Sequence, residues 1–311
     1  MRIILNTKFS LLLTAFFSVL ACPVNYGQDL DALLSKVSSD ETPDFIYGIF
    51  KGTTIINGQS VELAGNNDLR FLVSHRFGAV NGGLYNFFGL DQGTTRLGFE
   101  YGIKDRMSFI IGRSSYEKTY DGGIKLKILN QQKGPRNIPV AVAVYSAFFA
   151  NTMRWEDPER ENLFSSRFAY STQLLAARKF NKNLSLQISP SFVHFNLVRS
   201  ADDQNNIFSL GFGGRYKLGS RFSVNGEYFW LFPGLTSDDY ANSLSLGVDI
   251  ETGGHVFQLH CTNSQLMFAP GYIARSDGKW TDGNVFFGFN IYRNFSLGRK
   301  NESGSEILIR P

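Results

Sequence analysis

Between Ile207 and Phe232 the side chains alternate in character at every step, and an alternation of period two is the mark of a β-strand. Phe208, Leu210, Phe212, Gly214, Tyr216 and Leu218 fall on one side; Ser209, Gly211, Gly213, Arg215 and Lys217 fall on the other. After Gly219-Ser220 the rhythm resumes, with Phe222, Val224, Gly226, Tyr228, Trp230 and Phe232 opposed to Arg221, Ser223, Asn225 and Glu227. Two such runs joined by a tight turn form a hairpin. Each run covers roughly ten to twelve residues, about what a tilted strand needs to cross a bilayer. Strands in soluble proteins are about half that length.

The same rhythm runs through the chain from Asp68. Leu69, Phe71, Val73 and Phe77 oppose Arg70, Ser74 and Arg76; Leu97, Phe99, Tyr101 and Ile103 oppose Arg96, Gly98, Glu100 and Gly102. Leu244, Leu246, Val248 and Ile250 oppose Ser245, Gly247, Asp249 and Glu251. Connections sort by parity. Short turns at Lys104–Arg106, Asn181–Asn183, Gly219–Ser220 and Thr252–Gly254, with a longer one at Gln131–Asn137, alternate with polar loops. Those loops are Gly78–Gly93, Thr152–Leu163, Arg199–Asn205, Pro233–Tyr240 and Gln265–Asp282; the short Ser114–Lys118 link breaks the pattern. A soluble sandwich has no reason to sort its loops this way, whereas an outer-membrane barrel does. The expected fold is therefore all-β, a single antiparallel up-and-down transmembrane β-barrel of about 12 strands over residues 68–297. Pro190, with a change of phase from Phe192 to Val193, Phe195 and Leu197, predicts a bulge or a locally unpaired position. Phe45–Asn57 is apolar but irregular, and reads as an extra strand, a lumenal plug or a periplasmic strap.

Composition agrees with a barrel. Mean hydropathy is −0.13, too low for a helical membrane protein, yet half of each barrel strand faces a polar interior. The 29 Phe and 13 Tyr suit aromatic girdles. The formal charge of +4 comes without a dense Lys/Arg run, which argues against nucleic acid as a partner. Residues 1–27 read as an export signal, with Arg2 and Lys8 around its start and an apolar stretch from Phe9 to Leu20 too short to span. Val19-Leu20-Ala21 offers cleavage before Cys22, Tyr26-Gly27 before Gln28; the first also loosely resembles a lipobox that would acylate Cys22. Asp29–Val37 can form one or two helical turns within a 28–67 lead-in, and 298–311 is a polar tail. Cys261 lies on the Phe257 and Leu259 face of a strand and gives no disulfide framework.

The run Ser74-His75-Arg76-Phe77-Gly78, then Tyr85-Asn86-Phe87-Phe88-Gly89-Leu90-Asp91-Gln92, resembles an uncharacterised Bacteroidota family of outer-membrane β-barrels, domain of unknown function 5777. Arg96 to Gly102, Gly112-Arg113-Ser114, Glu117 to Gly122, and Thr262-Asn263-Ser264 before Met267 extend the likeness over roughly Asp29 to Leu297. The resemblance implies a barrel in the outer membrane and supplies no activity or substrate.

Chemistry-bearing motifs are scarce. Gly211-Phe212-Gly213-Gly214 precedes no helix and is not a nucleotide loop. Asp277 to Gly283 lacks the regular ligand spacing of a cation loop. His75, His194, His255 and His260 are scattered, and the last two face opposite sides of one strand, so no metal site or cofactor is expected. Some outer-membrane barrels hydrolyse lipid with His and Ser two apart on one strand face; here the nearest match is His260-Cys261-Thr262, and catalysis is not expected. What remains is the polar face: Arg70, Arg76, Arg96, Arg215, Lys217 and Arg221 share the inferred lumen with Glu100, Glu227, Asp249 and Glu251. Two expectations follow: a pore or transporter for a small polar solute, or a salt-bridged, plugged lumen in a structural or surface-binding protein. The partners expected are outer-membrane lipid and the barrel assembly machinery.

Overall fold

The computed structural model describes residues 43–155 and 157–297; the signal segment with Cys22, the helical turns at Asp29–Val37 and the 298–311 tail lie outside the described residues. Strands β1 (Asp44–Phe45) and β6 (Gln132–Lys133) pair with each other as a small two-stranded patch. The wall is formed by β2 (Asp68–Ala79), β3 (Gly93–Ile103), β4 (Met107–Ser114), β5 (Tyr120–Leu129), β7 (Ala141–Ala150) and β8 (Phe168–Lys179). It continues through β9 (Leu184–Phe195), β10 (Asn206–Lys217), β11 (Phe222–Leu231), β12 (Ser243–Thr252), β13 (His255–Thr262) and β14 (Phe286–Ser296). These 12 strands close into one barrel, with β14 returning antiparallel onto β2 from Ser296 opposite Asp68 to Phe286 opposite Ala79. Closure removes the free edges that an open sheet exposes.

Over most of the wall the apolar side of the alternation faces outward. Leu97, Phe99, Phe109, Ile111, Leu246, Leu259 and Phe287 are each 40–61% exposed and come from five different strands. Water tolerates no apolar belt of this extent, so lipid is the medium that covers it. Among the described residues no helix is long and apolar enough to cross a membrane.

The interior is filled. Residues 46–67 enter at the rim of short turns, where Lys179 Nζ donates to the Tyr47 carbonyl (3.0 Å) and Lys51 pairs with Glu251. They form a tight hairpin, with Ile55 N on Gly58 O (2.8 Å) and Ser60 N on Thr53 O (2.9 Å), then return to the start of β2. Two wall glycines make room. A Cβ on Gly102 would stand 2.2 Å from the Gly65 oxygen and 2.3 Å from that of Ala64; one on Gly213 would stand 2.2 Å from Ile55 Cδ1. The sector between them, on β7 and β8, is lined with Ala141, Ala143, Ala147, Ala169, Leu175 and Ala177, small or aliphatic side chains that cluster with Ile49, Phe50, Ile55 and Val61.

A second insert descends from the long-loop rim. Helix α1 (Ala269–Ala274) in the β13–β14 loop is buried at every residue. Phe268 packs on Phe149 at 6.0 Å between ring centroids and Tyr272 on Phe229 at 5.1 Å. At its end Arg275 lies 3.8 Å from the centre of the Phe195 ring; burial, with Arg199 nearby, pushes its pKa down to about 10.

This insert explains a departure from expectation. Strand β9 carries no bulge at Pro190: its register with β10 runs unbroken from His194 opposite Asn206 to Leu184 opposite Tyr216. Its pairing with β8 keeps one register on both sides of a gap at Ser189 and Pro190, so that proline is unpaired on its β8 side while it stays paired with Leu210 on the other. Val193 and Phe195 hold the inward phase; the lumen itself turns apolar there, so hydrophobicity changes face while the pleat does not. The register shifts that do occur lie at Phe286/Gly288 and Lys127/Leu129.

Candidate functional site

The inward polar side chains converge on the hairpin, and they bind mainly its backbone. Glu227 accepts from three successive N–H groups at the turn: Ile56 (3.1 Å), Asn57 (2.7 Å) and Gly58 (2.9 Å). Consecutive N–H groups of a turn form a natural anion cradle, and here the anion comes from the wall. Lys125 Nζ donates to the carbonyls of Thr53 (2.8 Å) and Glu62 (3.0 Å), and Lys127 Nζ to that of Val61 (2.6 Å). Gln187 accepts from Val61 N (2.8 Å) and donates to Gln59 O (2.7 Å). Gln258 and Asn290 donate to the carbonyls of Ile55 (2.6 Å) and Ile56 (3.0 Å). Ala64 N reaches Glu100 Oε1 and Ser108 Oγ, each at 3.2 Å. A backbone buried without water must find these partners elsewhere, and the wall supplies them.

One hairpin side chain carries the latch. Asn57 accepts from Arg76 through Oδ1 and donates from Nδ2 to Ser245 Oγ (3.0 Å). With its own N–H on Glu227, it ties β2, β11 and β12 to the tip. A bond chain supports the same region: Arg215 Nε to Ser223 Oγ (3.1 Å), Ser223 to Asp249 (3.2 Å), and Gln258 Nε2 to Asp249 (2.7 Å).

Of the ten lumen residues read from the sequence, Arg76, Arg96, Glu100, Glu227 and Asp249 are buried in the interior. Arg70 sits nearer the short-turn rim, bonded to Asn294 (2.7 Å) over the Tyr292 ring, and Glu251 holds Lys51. Arg215 braces Ser223, and Lys217 ends β10 half-buried. Arg221 is a correction: it is exposed in the turn before β11, where its carbonyl accepts from Glu251 N. A wall-to-wall salt-bridge network is a second correction. Among the described residues one ion pair joins two wall side chains, Arg96 and Asp121 at 2.5 Å. Arg76, Glu100, Lys125, Lys127, Glu227 and Glu251 bind the hairpin instead.

Sequence reading missed Lys125, Lys127, Asp121, Gln187, Gln258 and Asn290. The two lysines were findable, since they alternate with Ile124, Leu126 and Ile128 in β5. Asn57 was not, because nothing local marks a turn residue as the tip of a plug.

Where the hairpin tip meets α1 the lumen narrows to a cavity of about 20 Å³, room for about one water. The Phe229 ring belongs to both contacts: it packs on Tyr272, and a Cβ on Gly58 would meet its Cζ at 2.8 Å. The hydrolase-like pair is not assembled. Thr262 Oγ1 bonds to Ser245 (2.9 Å), the His260 ring nitrogens have no polar partner among the described residues, and both side chains point into the lumen, away from the lipid a hydrolase would need.

Residues 50–295 match the family model described as Membrane bound beta barrel domain (DUF5777). None of the curated proteins matches the chain. Among solved structures it is similar to the NanC porin (9% identity, 74% of this chain and 100% of that one, TM-score 0.47). It is likewise similar to the KdgM porin in complex with disordered oligogalacturonate (7%, 73% and 99%, 0.46). A third is the COG4313 outer membrane channel from Pseudomonas putida F1 (13%, 76% and 98%, 0.47).

Proposed function

This chain is a member of that membrane-bound β-barrel family, and we propose that it is an outer-membrane pore for small polar solutes, closed by its own N-terminal hairpin. The observation that carries this reading is how the hairpin is held. Wall side chains bind its main chain through hydrogen bonds, and water can replace each of those bonds when the hairpin leaves. Withdrawal would uncover a wet lumen lined by Arg76, Lys125, Glu100 and Glu227, charges of both signs suited to a polar solute rather than to one class of ion. Lipid surrounds the apolar belt, and the barrel assembly machinery would insert it.

Planar-bilayer conductance tests the reading, with the wild-type chain set beside a variant lacking residues 48–63. The wild type should stay closed with rare brief steps, and the deletion should conduct at least intermittently, with α1 as the remaining constriction. Silence from both folded proteins would sink the pore. A second reading then takes its place, a structural or surface-binding membrane protein, favoured by the observation that both inserts fill the lumen.

A further inference from the structure

We propose that the cavity between the hairpin tip and α1 binds one monatomic anion of the chloride class, held by Arg76 and the hydroxyl groups beside it. This site lies beyond the pore reading and does not depend on it. The cavity is lined by Arg76, Arg96, Ser74, Tyr145, Tyr272 and Asn57 among others, and by no Asp or Glu. Strand pairing makes it a built site: Ser74 lies opposite Arg96 across β2 and β3, so Ser74, Arg76 and Arg96 share one inward patch.

The two arginines differ. Arg96 is neutralised by Asp121, with bonds of 3.1 and 2.5 Å. Arg76 is 1% exposed and has no carboxylate within ion-pair distance among the described residues. Its Nη1 donates to the His75 carbonyl (3.1 Å) and its Nη2 to Asn57 Oδ1, while its Nε–H has no acceptor among the described residues. Glu227, the acid whose charge Arg76 feels, already accepts three backbone N–H groups. A buried cation with an idle donor is an unfavourable arrangement until an anion completes it.

Chemistry and size select the occupant. The Tyr272 hydroxyl, buried beside the Gln173 amide, can turn its proton into the cavity, and Asn57 Oδ1 is already taken by Arg76. The lining also holds an acceptor without a partner among the described residues, Gln59 Oε1, but Arg76 Nε–H can only donate and the hydroxyls can turn their protons inward, which suits a halide, a pure acceptor. A cavity of about 20 Å³ is the size of one small occupant, which favours a monatomic ion over sulfate, phosphate or a carboxylate. Bound there, the ion would join β2, the hairpin tip and α1, and so stabilise the filled lumen.

Bromide is the probe. The full exported chain, purified in detergent, is unfolded by heat at constant ionic strength while sodium gluconate is exchanged for sodium bromide. The expected result is a saturable rise of several degrees in the unfolding midpoint, as for any ligand that binds the native state alone. Crystals grown in bromide should show an anomalous peak in the cavity. Arg76→Gln should abolish both signals. Should that variant fail to fold, Tyr145→Phe and Ser74→Ala keep the test alive, each raising the half-saturating bromide concentration about tenfold through one lost donor. Equal midpoints in bromide and gluconate, or a cavity without an anomalous peak, would overturn the proposal.

Discussion

Replacing Glu227 with Gln asks how firmly the wall grips the hairpin. The carboxylate accepts from Ile56, Asn57 and Gly58 at 3.1, 2.7 and 2.9 Å, and the group is 3% exposed. A hydrogen bond to a charged group contributes about 1.5–3 kcal/mol and a neutral one about 0.5–1.5, so each contact loses about 1 kcal/mol. The amide also turns an N–H toward backbone donors, which adds to the loss. Against this, burying a neutral group costs less than burying a carboxylate, so the net effect is about 2–3 kcal/mol in favour of release. That corresponds to a roughly 30- to 150-fold rise in the released fraction. Two measurements read it: hydrogen exchange of the amides in residues 54–60, and open probability in planar bilayers. Both should rise while the barrel keeps its heat-modifiable migration on gels. Faster exchange with unchanged conductance would keep the latch and remove the pore. A folded variant unchanged in both measurements would refute the reasoning that Glu227 holds the hairpin.

Three further perturbations test the packing. Gly102→Ala places a methyl 2.2–2.3 Å from two main-chain oxygens, which cannot move as a side chain can; we expect the hairpin stem to be displaced, seen as protease cleavage within 60–67 in a barrel that still forms. Gly213→Ala meets the flexible end of Ile55 instead, and should cost about 1–3 kcal/mol by denaturant titration, with part of the loss recovered in the Gly213→Ala, Ile55→Ala double variant. Asn263 clamps the β13–β14 loop, donating to Asn242 O (3.0 Å) and Gly278 O (2.8 Å) and accepting from Leu244 N (2.7 Å); Asn263→Ala should loosen α1 and speed proteolysis between residues 276 and 284 without unfolding the wall.

The sequence by itself determined the wall. Side-chain parity is a local property of an extended chain, so Phe208 and Leu210 against Ser209 and Gly211 reveal which way each residue points before any strand has a neighbour. Loop lengths then place the turns, and with them the count of 12 strands and the belt that meets lipid. Tertiary structure decided what the inward face touches. Glu227 reads equally well as a pore charge or as a plug's anchor, because its three partners lie some 170 residues away and are backbone groups with no side-chain signature. The phase of Val193 and Phe195 misled for a related reason: alternation reports apolar against polar, and it equates polar with inside only while the inside is wet. Once α1 and the hairpin occupy the lumen, a greasy residue can be at home on either face, and contact alone settles which.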